Sequence, residues 1–516
     1  MSNPFFDHPI LNSPYAPPLR HWELDSTGQP TQRVIEERRR ASFITPIPKP
    51  RQRGAKAQNA QAPLNFADGH GLSTAQQRYD EVSAYINLVR GYVEAWRRLP
   101  HPSDWGVTPE TARLLQHWRT HPFASYRPFF CQLEAVETAI WLTEVAPHTR
   151  NGKEILDYLA AANAEANPSL SRVALKLATG AGKTTVMAML IAWQTVNAAR
   201  HPGSPRFTKG FLIVTPGITI KDRLRVLQPN DPDSYYARRE LVPEDMLRDL
   251  MQARIVITNY HAFRRRDQLE LAKGTRTLLQ GPTGQPVDTR ETEGELVRRV
   301  MPELMNLKNI LVLNDEAHHC YLTKPGDPDE PDLSADERDE AKANTEAARL
   351  WANGLETVGR VIGLQKVFDL SATPFFLRGS GYAEGTLFPW VVTDFSLMDA
   401  IECGIVKLPR VPVAQNIPGG EMPIYRNLWE HIRKDMPRKG RGNAGALDPL
   451  KLPAKLQTAL EALYGHYEKT FELWQQAGVK PPPCFIIVCN NTSVSKLVYD
   501  FVSGFHRPDG SFEQGR

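Results

Sequence analysis

The sequence predicts an α/β chain with a parallel β-sheet at its centre, and three observations carry that expectation. Five short apolar runs, Val173-Ala-Leu-Lys-Leu-Ala, Phe211-Leu-Ile-Val-Thr, Arg254-Ile-Val-Ile-Thr, Ile310-Leu-Val-Leu-Asn and Lys366-Val-Phe-Asp-Leu, alternate with longer polar or helix-periodic stretches. This is the pattern of βαβ units. Residues able to do chemistry follow directly after several of these runs, and ligands of such sheets bind outside the carboxyl ends of the strands. With 41% hydrophobic and 23% charged residues over 516 positions, the chain can build ordinary cores, which excludes a collagen-like or mostly disordered protein.

The composition also narrows the setting. No apolar run reaches the ~18 residues that span a bilayer, so no membrane partner is expected. The start Met1-Ser-Asn-Pro-Phe-Phe has no apolar core behind a basic flank and does not read as a secretory signal. Five cysteines (Cys131, Cys320, Cys403, Cys484 and Cys489) form no CxxC pair; neither a disulfide framework nor a zinc cage is spelled out, and a cytoplasmic location fits best. The net charge of +4, from 62 basic and 58 acidic residues, is too small to mark a nucleic-acid binder by itself. All of it falls in residues 1 to 60, which carry nine Lys or Arg against five acids.

Taken in order, the chain divides into four segments. Residues 1–72 hold nine prolines in their first 60 positions, which predicts an extended basic arm and linker without a ladder of backbone hydrogen bonds. Residues 73–120 read as a helical accessory region: Val82, Ile86, Val89, Val93 and Trp96 recur at spacings of four and three, a stripe for docking on a neighbouring core. Residues 121–400 contain the five runs and are expected to form the main domain. From 401 to 516 a similar pattern resumes, with strands expected around Lys407 to Val413 and at Cys484-Phe-Ile-Ile-Val-Cys, and helices around Leu452 to Trp474 and Thr492 to Phe501.

The first run leads into Ala178-Thr-Gly-Ala-Gly-Lys-Thr-Thr185 and then an apolar helix. Glycines let backbone amides turn inward around phosphate oxygens, and the helix that follows presents its positive end to them. Lys183 would reach the β- and γ-phosphates, and Thr184 would offer its hydroxyl to magnesium. Gly180, Ala181, Gly182 and Thr185 complete the loop, although Leu177 occupies the position where GxxxxGK[ST] has its first glycine. The fourth run ends in Asn314-Asp-Glu-Ala-His-His319. A carboxylate at the end of a buried strand suits a cation, which assigns Asp315 to magnesium, while Glu316 would orient and deprotonate an attacking water. His318 and His319 beside Cys320 could suggest zinc, but three consecutive residues do not converge easily on one metal. The fifth run ends in Ser371-Ala-Thr-Pro-Phe-Phe376.

In this order the three motifs resemble motifs I, II and III of a superfamily 2 helicase or translocase. With Val214-Thr-Pro-Gly-Ile-Thr-Ile-Lys-Asp-Arg-Leu224 and Ile257-Thr-Asn-Tyr-His261, the wording from about 126 to about 415 is similar to the Res subunit of type III restriction enzymes. The resemblance implies a RecA-like P-loop NTPase domain followed by a partial second RecA-like domain at 401–516, ATP and Mg2+ as cofactors, double-stranded DNA as the track and a modification methyltransferase as companion subunit. It implies roles for weaker signals as well. Gln132 would bond the adenine edge while Phe129 or Phe130 stacks on its face; Thr215, Pro216, Gly217, Thr258 and Asn259 would touch the DNA backbone; Ser371 and Thr373 would couple nucleotide state to domain motion.

Arg264, Arg265 and Arg266 follow the third strand on the face expected to meet DNA, either as a phosphate patch or as a solvated turn. The loop from 281 to 293 and the acidic loop from 326 to 340 read as insertions, the second as a solvated charge run. Motifs V and VI, with the arginines that reach the γ-phosphate, and the family's nuclease signature are not found in the sequence. The expectation is therefore a DNA-dependent ATPase of helicase type without an assigned nuclease. The alternatives are a superfamily 2 RNA helicase and a nucleotide-dependent DNA-binding module with little turnover.

Overall fold

The computed structural model describes residues 4–25, 28–42, 74–217, 222–266, 291–324, 335–377, 379–382, 384–408, 428–437, 448–489, 492–507 and 510–515. The chain forms two compact units, Met1–Leu408 and Pro409–Arg516.

The first unit is organised by a sheet of six parallel strands: β3 (Arg172–Leu177), β4 (Gly210–Thr215), β5 (Arg254–Asn259), β6 (Ile310–Asp315), β7 (Leu364–Ser371) and β8 (Val391–Phe395), in the order β5-β4-β6-β7-β3-β8. It is a mixed α/β domain of RecA-like type. All five runs read from the sequence are strands. The sixth, β8, was not foreseen: it pairs with β3 on the side away from β7, with Leu177 opposite Phe395, so the strand leading into the glycine loop lies inside the sheet. Its short run sits just after Pro389 and far from the motifs, and only pairing with β3 makes it a strand.

Both faces of the sheet are covered, and the alternation of side chains sorts the two cores. Leu311 and Leu313 enter the larger core shared with helix α6 (Lys183–Arg200), whereas Ile310 and Val312 enter a second core beneath the helix Ala335–Ile362. Every residue of α6 from Thr185 to Ala198 is buried, as expected of a helix that is apolar all round. Helix α2 (Thr74–Arg97) buries Val82, Ile86, Val89, Val93 and Trp96 against β8 and α4 (Phe130–Ile140). The stripe read from the sequence thus docks on the domain.

The N-terminal arm departs from expectation. It forms a short helix α1 (Pro4–Asp7) and an antiparallel hairpin of β1 (His21–Leu24) and β2 (Pro30–Ile35). A proline is tolerated at the first residue of a strand, and the turn carries Gly28 at φ +82°. Phe5 and Trp22 are buried with Ile401, and the Trp22 amide donates to the Glu402 carboxylate at 3.0 Å. Arg38 pairs with the buried Glu134 through two bonds of 2.6 Å, and Arg39 lies against Glu402 and Asp399. Part of the basic charge of the arm is therefore spent inside the domain. Residues 43–73 lie outside the described part.

The second unit contains the helices Ala454–Gln476 and Thr492–Ser503, close to the expected ones, and a short hairpin of β9 (Gly504–His506) and β10 (Phe512–Gln514). Leu456, Leu460, Leu497, Val498 and Phe501 form its core. The strand expected at 484–489 does not form: those residues carry no regular secondary structure and no ladder partner among the described residues, with Ile486 and Val488 exposed. A β-branched run becomes a strand only when another backbone lies beside it. The strand expected near 407–413 falls mostly outside the described residues, and Lys407 and Leu408 belong to none.

Candidate functional site

β3 runs into the loop 178–182, which turns through two glycines in the left-handed region, Gly180 at φ +86° and Gly182 at φ +84°. Only glycine takes that backbone without strain. Leu177, at the place where the motif has its first glycine, is still part of β3, buried, and without positive φ, so no glycine is needed there. A Cβ on Gly182 would stand 2.3 Å from Nε2 of Gln132. Lys183 opens α6, an eighteen-residue helix whose amide end faces the loop, with Thr184 half-buried beside it and Thr185 buried.

Across this loop, β6 ends at Asp315, and Glu316 turns the chain at φ +50°, its amide donating to the Asp315 carboxylate at 3.1 Å. Lys183 Nζ lies 2.9 Å from Glu316 Oε1. Burial, and next the charge of Glu316, push the Asp315 carboxyl up to about 6 despite the opposing influence of Lys183. β7 contributes the third motif. Ser371 Oγ is 2.9 Å from His318 Nδ1 and accepts the Thr373 amide at 3.1 Å. Burial and the neighbouring His319 hold His318 down to about 4, so its ring is neutral near pH 7 and Nδ1 can accept the Ser371 hydroxyl proton.

Residues 127–376 match the family described as type III restriction enzyme, res subunit. The Res-type segment covers just under half of the chain and supports a helicase-like ATPase motor of the superfamily 2 type. No curated protein and no solved structure matches the chain. The segment begins at Arg127 and ends at Phe376, so it contains all three motifs, while β8, which completes the sheet around β3, lies beyond it.

Within the Res-type segment, the aromatic residues expected near adenine separate. Phe130 is buried, with the guanidinium groups of Arg38 and Arg97 5.5 and 4.9 Å from its ring centre. Of the two rings offered for the base, Phe130 is the one withdrawn from solvent: it opens α4 beneath these guanidinium groups. Phe129 stays half-buried beside Tyr15 of the arm, with ring centres 5.7 Å apart. Gln132 is tied to the loop itself, its Nε2 donating to the Ala181 carbonyl at 2.8 Å and its Oε1 accepting the Phe129 amide at 3.0 Å.

The residues expected to meet DNA gather at the carboxyl ends of β4 and β5, where Thr215 lies opposite Asn259 and Val214 opposite Thr258. Thr215 is buried and donates its hydroxyl to the Gly217 carbonyl at 2.9 Å, so its side chain braces the loop rather than facing outward. Pro216, Gly217, Thr258 and Asn259 are half-buried, and Arg264 is exposed. Arg265 is held by Glu293 at 3.1 Å. β6 and β7 separate this group from β3, so it forms a surface apart from the loop of Lys183. Residues 218–221, 267–290 and 325–334 lie outside the described part. Among the described residues, no group of three or more His, Cys, Asp or Glu is arranged to hold a metal ion, and no helix is long and apolar enough to cross a membrane.

Sequence reasoning missed two arrangements around the site. Arg172 at the start of β3 is fully buried and donates to Asp369 at 2.8 Å; Asp369 also accepts from Asn314 and from the indole of Trp390, both at 2.8 Å. One carboxylate thus links the three motif strands and the segment entering β8. The signal was present as an acid, Asp369, inside the apolar stretch of β7, with an arginine opening β3. The second is Arg239, whose guanidinium donates to Thr185 Oγ1 at 2.8 Å. It comes from a stretch that resembles no motif, and nothing local pointed to it.

Proposed function

We propose that this chain is the ATP-binding and ATP-hydrolysing motor of a type III-like restriction subunit, moving on double-stranded DNA. The observation that carries the reading is the 2.9 Å pair between Lys183 and Glu316. It joins the amine at the head of α6 to the turn after β6, so that Lys183 and the carboxylates of Asp315 and Glu316 meet beside the glycine loop. Amides of residues 180–185 and the Lys183 amine receive the phosphate oxygens. Thr184 and Asp315 suit magnesium: a hydroxyl and a half-buried carboxylate, raised toward neutrality in its pKa, form a hard oxygen donor set that a divalent cation would keep ionised. When bound, the ion neutralises charge on the β- and γ-phosphate oxygens.

Glu316 is left to orient the attacking water and take its proton. In the nucleotide-bound protein, Lys183 leaves Glu316 for the phosphates and frees that carboxylate. Ser371 and Thr373 report the state of the site through His318. Pro216, Gly217, Thr258, Asn259 and Arg264 contact DNA phosphates, which carry no sequence information; site choice then belongs to a companion methyltransferase.

The test measures nucleotide affinity and ATPase rate of the wild type and Lys183→Ala, with and without duplex DNA or RNA. The motor reading expects loss of binding or turnover in the variant and stimulation of the wild type by duplex DNA. Unchanged affinity and turnover in Lys183→Ala would sink it. Stimulation by RNA alone would assign an RNA helicase, and salt-sensitive DNA binding with background ATPase would assign a binding module.

A further inference from the structure

A strained backbone and a charged side chain meet beside the glycine loop in a way that none of the motifs accounts for. Glu240, a non-glycine residue, sits at φ +50°. Strained positions of this kind persist only where surrounding contacts hold them, and they cluster at ligand sites. Here the hold comes from α3 (Pro109–Thr120) and the chain after it. The Glu240 carbonyl accepts from His117 Nε2 at 2.6 Å, its carboxylate meets His121 Nε2 at 2.7 Å and the Ala124 amide at 3.3 Å, and the Leu241 carbonyl accepts the Trp118 indole at 2.7 Å. The preceding residue is Arg239. Besides its bond to Thr185, its guanidinium lies 3.5 Å from the ring centre of Tyr235 and 4.9 Å from that of Tyr126. Tyr126 is 59% exposed.

We infer that Arg239 and Tyr126 form the sugar-and-base end of a purine nucleoside triphosphate site. The inference rests on the nucleotide reading of the loop and extends it to a segment outside the motifs. Lys183 faces Glu316 and marks the terminal phosphates; Thr185, two residues further along the first turn of α6, lies where the phosphate chain passes to the sugar. An arginine already bonded to Thr185 offers its remaining N–H groups to ribose hydroxyls from a fixed fork. The exposed ring of Tyr126, polarised by the guanidinium next to it, is a stacking face for a heteroaromatic base. The residues expected to fill this role have less to offer: Phe130 is buried, Phe129 packs against the core beside Tyr15, and Gln132 is bonded to the loop backbone.

The experiment measures dissociation constants of the full chain for ATP and for inorganic tripolyphosphate, which has the phosphates without sugar or base. Wild type, Arg239→Ala, Tyr126→Ala and Lys183→Ala are compared, with thermal unfolding as a check on folding. Tyr126 is mostly in solvent, so its truncation tests the site even if Arg239→Ala disturbs the fold. The expected result is a loss of about tenfold or more in ATP affinity for the Tyr126 and Arg239 variants, with tripolyphosphate affinity unchanged. Lys183→Ala should lose both. ATP affinity equal to wild type in both variants overturns the inference and leaves the nucleotide reading standing, as does tripolyphosphate affinity falling in step with ATP. A wild type that binds neither compound overturns both.

Discussion

His318 and Ser371 are joined side chain to side chain: the imidazole Nδ1 stands 2.9 Å from the hydroxyl oxygen. The first belongs to the turn after β6 and the second ends β7, so two motifs 53 residues apart share one hydrogen bond. His318 also lies 3.6 Å from Glu316, which gives a route from the carboxylate of the site to the loop at Thr373. Because the histidine is neutral near pH 7, the bond does not depend on an ionised ring.

This relationship predicts non-additive effects. Ser371→Ala and His318→Ala should each leave ATP affinity close to wild type while lowering the stimulation of ATPase by DNA. The double variant should resemble either single one, with a coupling of about 0.5–3 kcal/mol. A double-mutant cycle on DNA-stimulated turnover measures it, and strictly additive losses would refute the link.

Asp315 predicts a pH dependence. Its carboxyl titrates near 6 in the fold, above the ordinary 3.8, because burial and Glu316 favour the neutral form. The folded state therefore holds a proton that the unfolded chain has released. The resulting stability is fully present below about 4 and disappears as pH rises through 6. Cation binding needs the ionised group and runs the other way. Magnesium-dependent nucleotide affinity should fall as pH drops through 6, and Asp315→Asn should remove that dependence along with most of the affinity. Nucleotide titrations at fixed magnesium between pH 5 and 8 decide the point.

The buried carboxylate of Asp369 predicts a large stability effect without chemistry at the site. Asp369→Ala leaves Arg172 charged and unpaired in the core and removes the acceptor of Asn314 and Trp390. Removing one partner of such a pair costs about 3–5 kcal/mol. Arg150→Ala, which breaks the exposed pair with Glu154, should cost less than ~0.5 kcal/mol. Denaturant unfolding of the two variants tests the contrast.

Two glycines predict opposite outcomes. Gly182→Ala puts a methyl group against Gln132 at a positive φ, and it should abolish nucleotide binding in a protein that still folds. Gly91 lies in the middle of α2, exposed, with nothing within 4 Å of an added Cβ. Gly91→Ala should stabilise the protein by about 0.5–1 kcal/mol, read from a shift in its unfolding midpoint.

Much of this protein is legible in local pattern. The strands β3 to β7 are short apolar runs, the stripe of α2 follows a helical period, and the loop of Lys183, the pair Asp315–Glu316 and Ser371 sit at or directly after the carboxyl ends of strands, where βαβ geometry directs a ligand. These signals need only a few consecutive residues. The arm was misread because proline content says where a ladder is interrupted and nothing about what the remaining residues reach. Trp22 and Arg39 find Glu402 about 380 and 360 positions away. The choice between Phe129 and Phe130 was open in the sequence because two adjacent phenylalanines are equivalent there; in the fold Phe130 is buried beside Arg38 and Arg97 while Phe129 stays half-buried.

By itself, the sequence determined the α/β class, the order of the motif strands and the residues of the glycine loop, since each depends on periodicity or backbone freedom within a short window. Only the tertiary structure decided that β8 closes the sheet beside β3, that Asp369 ties the motif strands together, that the Asp315 carboxyl titrates near 6 and that Arg239 stands at Thr185. Those properties arise from burial and from partners distant along the chain, and neither is a property of any short stretch of residues.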